Sequence, residues 1–210
     1  MSAPELILIG AGGHARACID VVEDTGDFRI AGLVGLPSEI GAKHLGYAVI
    51  GTDGDLLEIH RTCRYALIAV GQIRTSHFRE RLYQQVLALG FEFPTVVARD
   101  AHVSRSAMIG EGTIVMRGAI LNAAATVGQN CIINSGALIE HDATVADHCH
   151  ISTGAILNGQ VYVGAGSFLG SGTAVMQGVS IGRNCVVGMG CTVRRNLPNG
   201  ASYVGERHHD

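Results

Sequence analysis

The chain has no tryptophan, and only 16% of its 210 residues are charged. So low a charge content is unusual for a helical protein and natural for tightly coiled β-structure, where the 29 glycines belong in turns. No Lys/Arg block is present and the formal net charge is −3, which argues against nucleic acid as a partner, because phosphate neutralisation needs a basic face. No apolar run approaches the roughly 20 residues needed to span a bilayer, and the start from Met1 to Glu5 lacks the basic residues of a secretory signal. A cytoplasmic protein with no membrane partner is expected. The length suits one large domain or two small ones, and two are expected.

Six cysteines could suggest disulfides. Four of them, Cys131, Cys149, Cys185 and Cys191, are separated by multiples of six and therefore share one position of a repeat. Small core residues explain them better than bridges or ligands.

Residues 5 to 98 alternate strand-like and helix-like segments. The apolar run Leu6 to Ile9 leads into the turn Gly10, Ala11, Gly12, Gly13, His14, and a helix is expected from about 14 to 24 with Ala17, Ile19, Val21 and Val22 partly inward. Strands are expected at Arg29 to Val34, around Ala48 to Ile50, and at Tyr65 to Val70, the last closed by Gly71. Between Ser76 and Leu89, Phe78, Leu82, Val86 and Leu87 fall at helical spacing, and Gly90 supplies a stop. This alternation implies a small α/β unit with a mainly parallel sheet and ligands at the carboxyl ends of its strands.

After Phe93 and Pro94 the pattern changes. Residues 101 to 196 divide into sixteen hexads without insertion; the third position is aliphatic from Val103 to Val193, and the first holds Ala, Thr, Cys, Ser or Val. Such a period is the signature of a β-helix, because each repeat can bury its apolar side only against its neighbours.

The glycine-rich turn taken alone also fits a dinucleotide fingerprint, Gly10-x-Gly12-x-x-Ala15. The second strand, however, ends in Leu33, Val34 and Gly35 with no acidic residue to hold an adenosine ribose, which disfavours a redox cofactor. The helix N-terminus behind the turn would still suit a phosphate.

The turn Gly10 to His14, the hexads, and the run Ile139, Glu140, His141, Asp142 followed by His150 together resemble the bacterial sugar acetyltransferases of the sialic-acid and bacillosamine pathway type, over nearly the whole chain. The resemblance implies an α/β N-terminal Rossmann-like domain (residues 1–98, binding a nucleotide sugar) followed by an all-β left-handed parallel β-helix (99–210, carrying acetyl transfer). Three hexads would make one triangular coil, and the long functional loop of many such helices is missing. A homotrimer with active sites between adjacent β-helices is implied. So are acetyl-coenzyme A as co-substrate, no metal, and acetylation of the amine of a nucleotide-linked 4-amino-4,6-dideoxy sugar.

By the same resemblance, His141 matches the general base and Asp142 the acidic residue that orients it. His150 matches a histidine near the acetyl-coenzyme A thioester, and Asn134 an asparagine on the sugar side. Gly10, Gly12, Gly13 and His14 match the turn that approaches the nucleotide sugar. Gly71 and Arg74 follow the strand ending at Val70, where a second part of the nucleotide site is expected, and Gly159 and Gly188 are candidate backbone contacts for the pantetheine arm. Two departures stand out. Where the family commonly carries acidic residues this chain has Val34 and Gly35, and it ends in Tyr203 to Arg207 where relatives often continue into a Gly-x-Pro-Ala-Lys segment.

The chemistry fits those roles. A sugar ammonium must lose a proton before its nitrogen attacks a thioester, and imidazole, with a reference pKa of about 6.5, accepts protons around neutral pH. A neighbouring carboxylate fixes the tautomer and stabilises the imidazolium. On a strictly extended strand both Glu140 and Asp142 would point away from His141; Asp142 sits where the chain turns, and Glu140 is the reserve candidate. Three alternatives remain: a sugar O-acetyltransferase on the same scaffold, a non-catalytic trimeric β-helix, and a zinc site built from His141, His148 and His150. His148, His208 and His209 carry no other support.

Overall fold

The structure is a computed structural model that describes residues 3–205, so Met1, Ser2 and the terminal stretch containing Glu206, Arg207, His208 and His209 lie outside the described residues. The N-terminal unit contains β1 (Glu5–Ile9), α1 (Gly13–Thr25), β2 (Arg29–Val34), β3 (Lys43–His44), β4 (Tyr47–Gly51), α2 (Leu56–His60), β5 (Tyr65–Ile68) and α3 (His77–Ala88). Its sheet runs β3-β4-β2-β1-β5, parallel throughout except for the β3–β4 hairpin. The strand order reverses beside β1, which places the turn after β1 at the crevice where such sheets bind ligands.

β1 is apolar on both faces because both are covered. Leu6 and Leu8 pack with Ala15, Cys18, Ile19 and Val22 of α1, whereas Ile7 and Ile9 pack with Leu56 of α2 and Leu82, Tyr83 and Val86 of α3. α1 ends where Gly26 enters the left-handed region (φ 66°) and its N–H reaches the Val22 carbonyl at 3.3 Å. α3 presents a different face from the one expected: Arg79, Leu82, Tyr83 and Val86 are buried, while Phe78 and Leu87 are 49% and 42% exposed. Arg79 is drawn in because the carbonyls at the end of β5 need donors, and its Nη1 bonds Ile68 O and Val70 O, both at 2.7 Å. The regular strand accordingly closes at Ile68 rather than Val70. Lys43–His44 and Leu56–His60 are short elements absent from the reading of the sequence.

The C-terminal unit is a left-handed β-helix with three parallel sheets, each rung repeating after eighteen residues, as in Ile114, Ile132, His150, Phe168 and Val186. The first side begins at Val96–Val97, ahead of the first hexad, and ends at Ser202–Tyr203, beyond the last. The second side runs from His102–Val103 to Thr192–Val193, and the third from Met108–Ile109 to Ser180–Ile181. Third-position aliphatics fill the interior, each worth about 1.5–3 kcal/mol relative to exposure.

The six cysteines are free and buried. In one column their thiols do more than fill space: Cys131 Sγ–H donates to Ala146 O at 3.2 Å and Cys149 Sγ–H to Gly164 O at 3.3 Å. The hydroxyls of Thr113 and Ser167 serve the equivalent carbonyls of Gly128 and Gly182 in the same column. The last residue of every hexad from Gly112 to Gly190 has positive φ, including Asn130, Asp142, His148 and Asn184. Glycine, asparagine and aspartate tolerate that conformation most readily.

The two units share a core. Ile114, Met116 and Ile132, outward on the first side of the β-helix, join the cluster built on α1 and β1. Polar ties reinforce the contact: Arg99 Nη2 donates to Thr25 O at 2.8 Å, and Arg117 meets Asp20 at 2.9 Å and Asp24 at 3.4 Å. Among the described residues, no helix is long and apolar enough to cross a membrane.

Candidate active site

His141 occupies the corner between the second and third sides, directly after the rung Leu138–Ile139. Asp142, held in the left-handed region at φ 58°, turns its carboxylate back along the chain so that Oδ2 stands 2.8 Å from His141 Nδ1. The positive φ is what lets adjacent residues meet, an option closed to an extended strand. Glu140 instead accepts the His141 backbone N–H at 3.2 Å. With Nδ1–H donated to Asp142, the neutral imidazole carries its lone pair on Nε2. Both side chains are about half exposed.

One coil further, Gly159 lies against the ring. A Cβ there would stand 2.6 Å from both His141 Cε1 and Nε2, so glycine is what leaves Nε2 approachable on that side. Gly188 is elsewhere: its N–H bonds Tyr203 O at 2.8 Å, next to a cavity of about 330 Å³ lined by Met189, Cys191, Thr192, Arg194, Tyr203 and Val204.

A second polar group is buried where the α/β unit covers the first side. His150 is 7% exposed; its Nδ1–H donates to Gln72 O at 2.6 Å, and its Nε2 lies 3.2 Å from Asn134 Nδ2. Gln72 is clamped in turn by its side-chain amide to Gly166 O at 3.3 Å. Arg79, 1% exposed and without a carboxylate partner among the described residues, links the Ile68 and Val70 carbonyls to Asn130 O (3.4 Å) across the junction. Burial lowers its pKa to about 10.

Burial, with Arg79 adding to it, holds His150 down at about 4, although the bond to Gln72 opposes the shift. His14 is held at about 3 by burial, then by Arg79 and His150. Its ring is partly exposed by area, yet Nε2 is fully shielded and, like Gln72 Oε1, Arg79 Nη2 and Asn130 Oδ1, has no hydrogen-bond partner among the described residues. His148 packs edge-on against Tyr83, its Nδ1 2.9 Å from Asn130 Nδ2, and burial lowers its pKa.

The glycine-rich turn borders a separate cavity of about 270 Å³, lined by Gly10, Gly12, Val34, Leu36, Glu39 and Phe78 among others. Gly10 adopts φ 123° and a Cβ on it would lie 2.7 Å from Val70 Cγ2, so the chain can pass only as glycine. Gly12 caps α1 without a side-chain bond, leaving its first N–H groups directed outward. Gly13, His14, Gly71 and Arg74 are not in this cavity's wall. Gly71 abuts the His14 side chain, and Arg74 is exposed.

Apart from the glycine-turn cavity and Gly188, the structure assembles expected residues into two groups. His14, Asn134 and His150 belong to the interdomain junction, while His141, Asp142 and Gly159 share the corner opposite the side that the α/β unit covers. His141, His148 and His150 do not converge, and no cluster of three or more His, Cys, Asp or Glu suited to a metal occurs among the described residues. Arg79 and Gln72 escaped the reading of the sequence, because their partners are backbone carbonyls that carry no sequence signal.

Comparison with known proteins finds relatives of both units. A family model described as the PglD N-terminal domain matches residues 5–86, and one described as the hexapeptide repeat of succinyl-transferase matches residues 160–195. No curated protein sequence matches significantly. Among solved structures, PerB from Caulobacter crescentus, in complex with CoA and GDP-perosamine, is 33% identical with a TM-score of 0.88 over 94% of this chain and 92% of that one. A histidine-to-asparagine variant of the Caulobacter perosamine N-acetyltransferase with the same ligands is 32% identical, with a TM-score of 0.89 over 94% of this chain and 92% of that one. The acetyltransferase domain of PglB from Neisseria gonorrhoeae, in complex with acetyl coenzyme A, is 30% identical with a TM-score of 0.87 over 95% of each chain. Fold, turn, repeat and full-length identity agree, and the chain belongs to the hexapeptide-repeat sugar acetyltransferases.

Proposed function

We propose that the chain transfers the acetyl group of acetyl-coenzyme A to the amine of a nucleotide-linked 4-amino-4,6-dideoxy sugar, with His141 as general base. The observation that carries this reading is the His141–Asp142 pair, whose 2.8 Å contact at Nδ1 leaves Nε2 as the free acceptor. Nε2 takes the proton that the sugar nitrogen loses; the nitrogen attacks the thioester carbonyl, the C–N bond forms, the C–S bond breaks, and the departing coenzyme A thiolate takes that proton back from the imidazolium to leave as the thiol. Asp142 holds the tautomer and stabilises the imidazolium as it forms. No covalent acyl-enzyme is needed. The relatives bound to CoA with GDP-perosamine, and to acetyl coenzyme A, support this pair of substrates.

In this reading the α/β unit holds the nucleotide through Gly10 and Gly12, which line the cavity at the end of β1, and the β-helix, which begins at Val96–Val97 rather than at residue 99, carries the transfer. Gly159, which lies against the His141 ring, serves the acetyl-coenzyme A side, whereas Asn134 and His150 are engaged with each other and with Gln72 O at the junction. Because the turn and His141 lie on opposite flanks of one β-helix, a complete site takes its base from a second copy, in keeping with the homotrimer that the family resemblance implies. Exposed apolar residues flank the His141 corner in support of it: Ile120 and Ile156 on the second side, Met108 and Tyr162 on the third.

The test is incubation with acetyl-coenzyme A and UDP-, GDP- and dTDP-linked 4-amino sugars, reading thiol release and the acetylated product. Release with at least one amino sugar and none with its 4-hydroxy counterpart is expected. No release with any of them would reject N-acetylation.

A further inference from the structure

Directly after β2 the chain offers no acidic side chain, since Val34 is followed by Gly35. In the folded chain a carboxylate arrives there by another route. The short turn Pro37–Glu39 carries Glu39 back toward the strand end, where its Oε2 accepts the Leu36 N–H at 2.8 Å. That oxygen lies 2.8 Å from the point where a Cβ on Gly35 would stand, and Ala11 of the glycine-rich turn is 3.1 Å from the same point. Any side chain at position 35 would displace the carboxylate. Glu39 shares the cavity wall with Gly10, Gly12 and Leu36, and its second oxygen has no hydrogen-bond partner among the described residues.

We propose, on the basis of the nucleotide-sugar reading above, that Glu39 is a specificity-determining residue of that site: its free oxygen accepts the 2′-hydroxyl of a ribose, so that ribonucleotide-linked sugars are taken in preference to 2′-deoxyribonucleotide-linked ones. In sheets of this kind a diphosphate sits at the helix N-terminus behind the glycine turn, and the ribose reaches a carboxylate at the end of the second strand. An ionised carboxylate is acceptor-only, and its bond to a hydroxyl is charge-assisted. A deoxy analogue still strips water from Glu39 and gives no donor in return, which is how a polar site rejects a ligand lacking one hydroxyl. The Leu36 amide fixes one oxygen in advance, so the other is aimed before the ligand arrives.

Calorimetric titration of the whole protein with GDP, 2′-deoxy-GDP, UDP and 2′-deoxy-UDP tests this. Each ribose form is expected to bind about tenfold or more tightly than its deoxy partner. Glu39→Gln should narrow that ratio to about twofold, as should Gly35→Ala, with circular dichroism confirming that each variant is folded. Equal affinity of the unaltered protein for ribose and deoxyribose forms would overturn the role of Glu39 while leaving the nucleotide site standing, whatever the variants do. A preference that persists in folded Glu39→Gln would also overturn it. Failure to bind any of the four diphosphates would remove the nucleotide site, and this inference with it.

Discussion

The corner carrying His141 and the junction carrying His14 and His150 use the same side chain under opposite conditions. At the corner, His141 and Asp142 are about half exposed and the pair leaves one ring nitrogen open. At the junction, His150 has both nitrogens engaged and His14 has its Nε2 sealed in, beside a guanidinium that no carboxylate among the described residues neutralises. A histidine that must pick up a proton needs room for a substrate and a partner for the cation. One that serves as a fixed donor or acceptor needs burial, which disfavours its charged form. The difference teaches that position in the fold, more than residue type, assigns the task.

The comparison can be broken most sharply at the corner. His141→Ala should lower kcat by about a thousandfold or more, within the range for a lost general base, with oligomer mass unchanged by light scattering. A loss under about tenfold would take the base role away from His141.

At the junction the effect should fall on stability. Arg79→Met removes the donors of Ile68 O and Val70 O and should destabilise by about 3 kcal/mol in urea titration. An unchanged midpoint would mean that water replaces the guanidinium without loss.

Acid should attack the junction as well. His150 has a folded pKa near 4 against 6.5 when unfolded, so the unfolded chain binds more protons between those values. The contribution of His150 is therefore intact above about pH 6.5, is lost as pH drops through this window, and levels below it, with about 3 kcal/mol at stake for this group, and His14 adds a loss of the same sign that extends to about pH 3. Denaturation midpoints measured from pH 7 to pH 4 should show the slope, and a folded His150→Gln protein should show a shallower one.

Smaller changes sharpen the contrast. Gly159→Ala places a methyl against the His141 ring and should lower turnover about tenfold by moving Nε2, while the melting temperature stays put because a side-chain tip yields easily. Arg117→Ala, which breaks exposed ion pairs to Asp20 and Asp24, should leave the denaturation midpoint within error.

The sequence made the β-helix legible because every hexad obeys one burial rule, and residues such as Val115, Ile133 and Ile151 repeat it without exception. The α/β unit was legible where a strand is covered on both faces and reads as a continuous apolar run, as in Leu6 to Ile9. It misled in α3, where apolar spacing selects Phe78 and Leu87 but the buried residues include Arg79 and Tyr83. No local pattern announces an arginine whose partners are main-chain carbonyls. The His150–Gln72 bond joins residues 78 apart, and its existence depends on how one unit docks on the other. Asp142 could be named from its position, but its reach to His141 depends on a backbone angle that an alternating pattern does not reveal.

The eighteen-residue rung spacing also constrains how a chain of this kind can change length. One residue inserted within a rung would turn the next aliphatic outward and place every later corner out of step with the coil beneath. Such an insertion can survive only by escaping sideways as a loop at a corner. The smallest piece that can be gained or lost from the stack without leaving a scar is a whole coil, and losing the one from Ala137 to Gly154 would remove His141, Asp142 and His150 together.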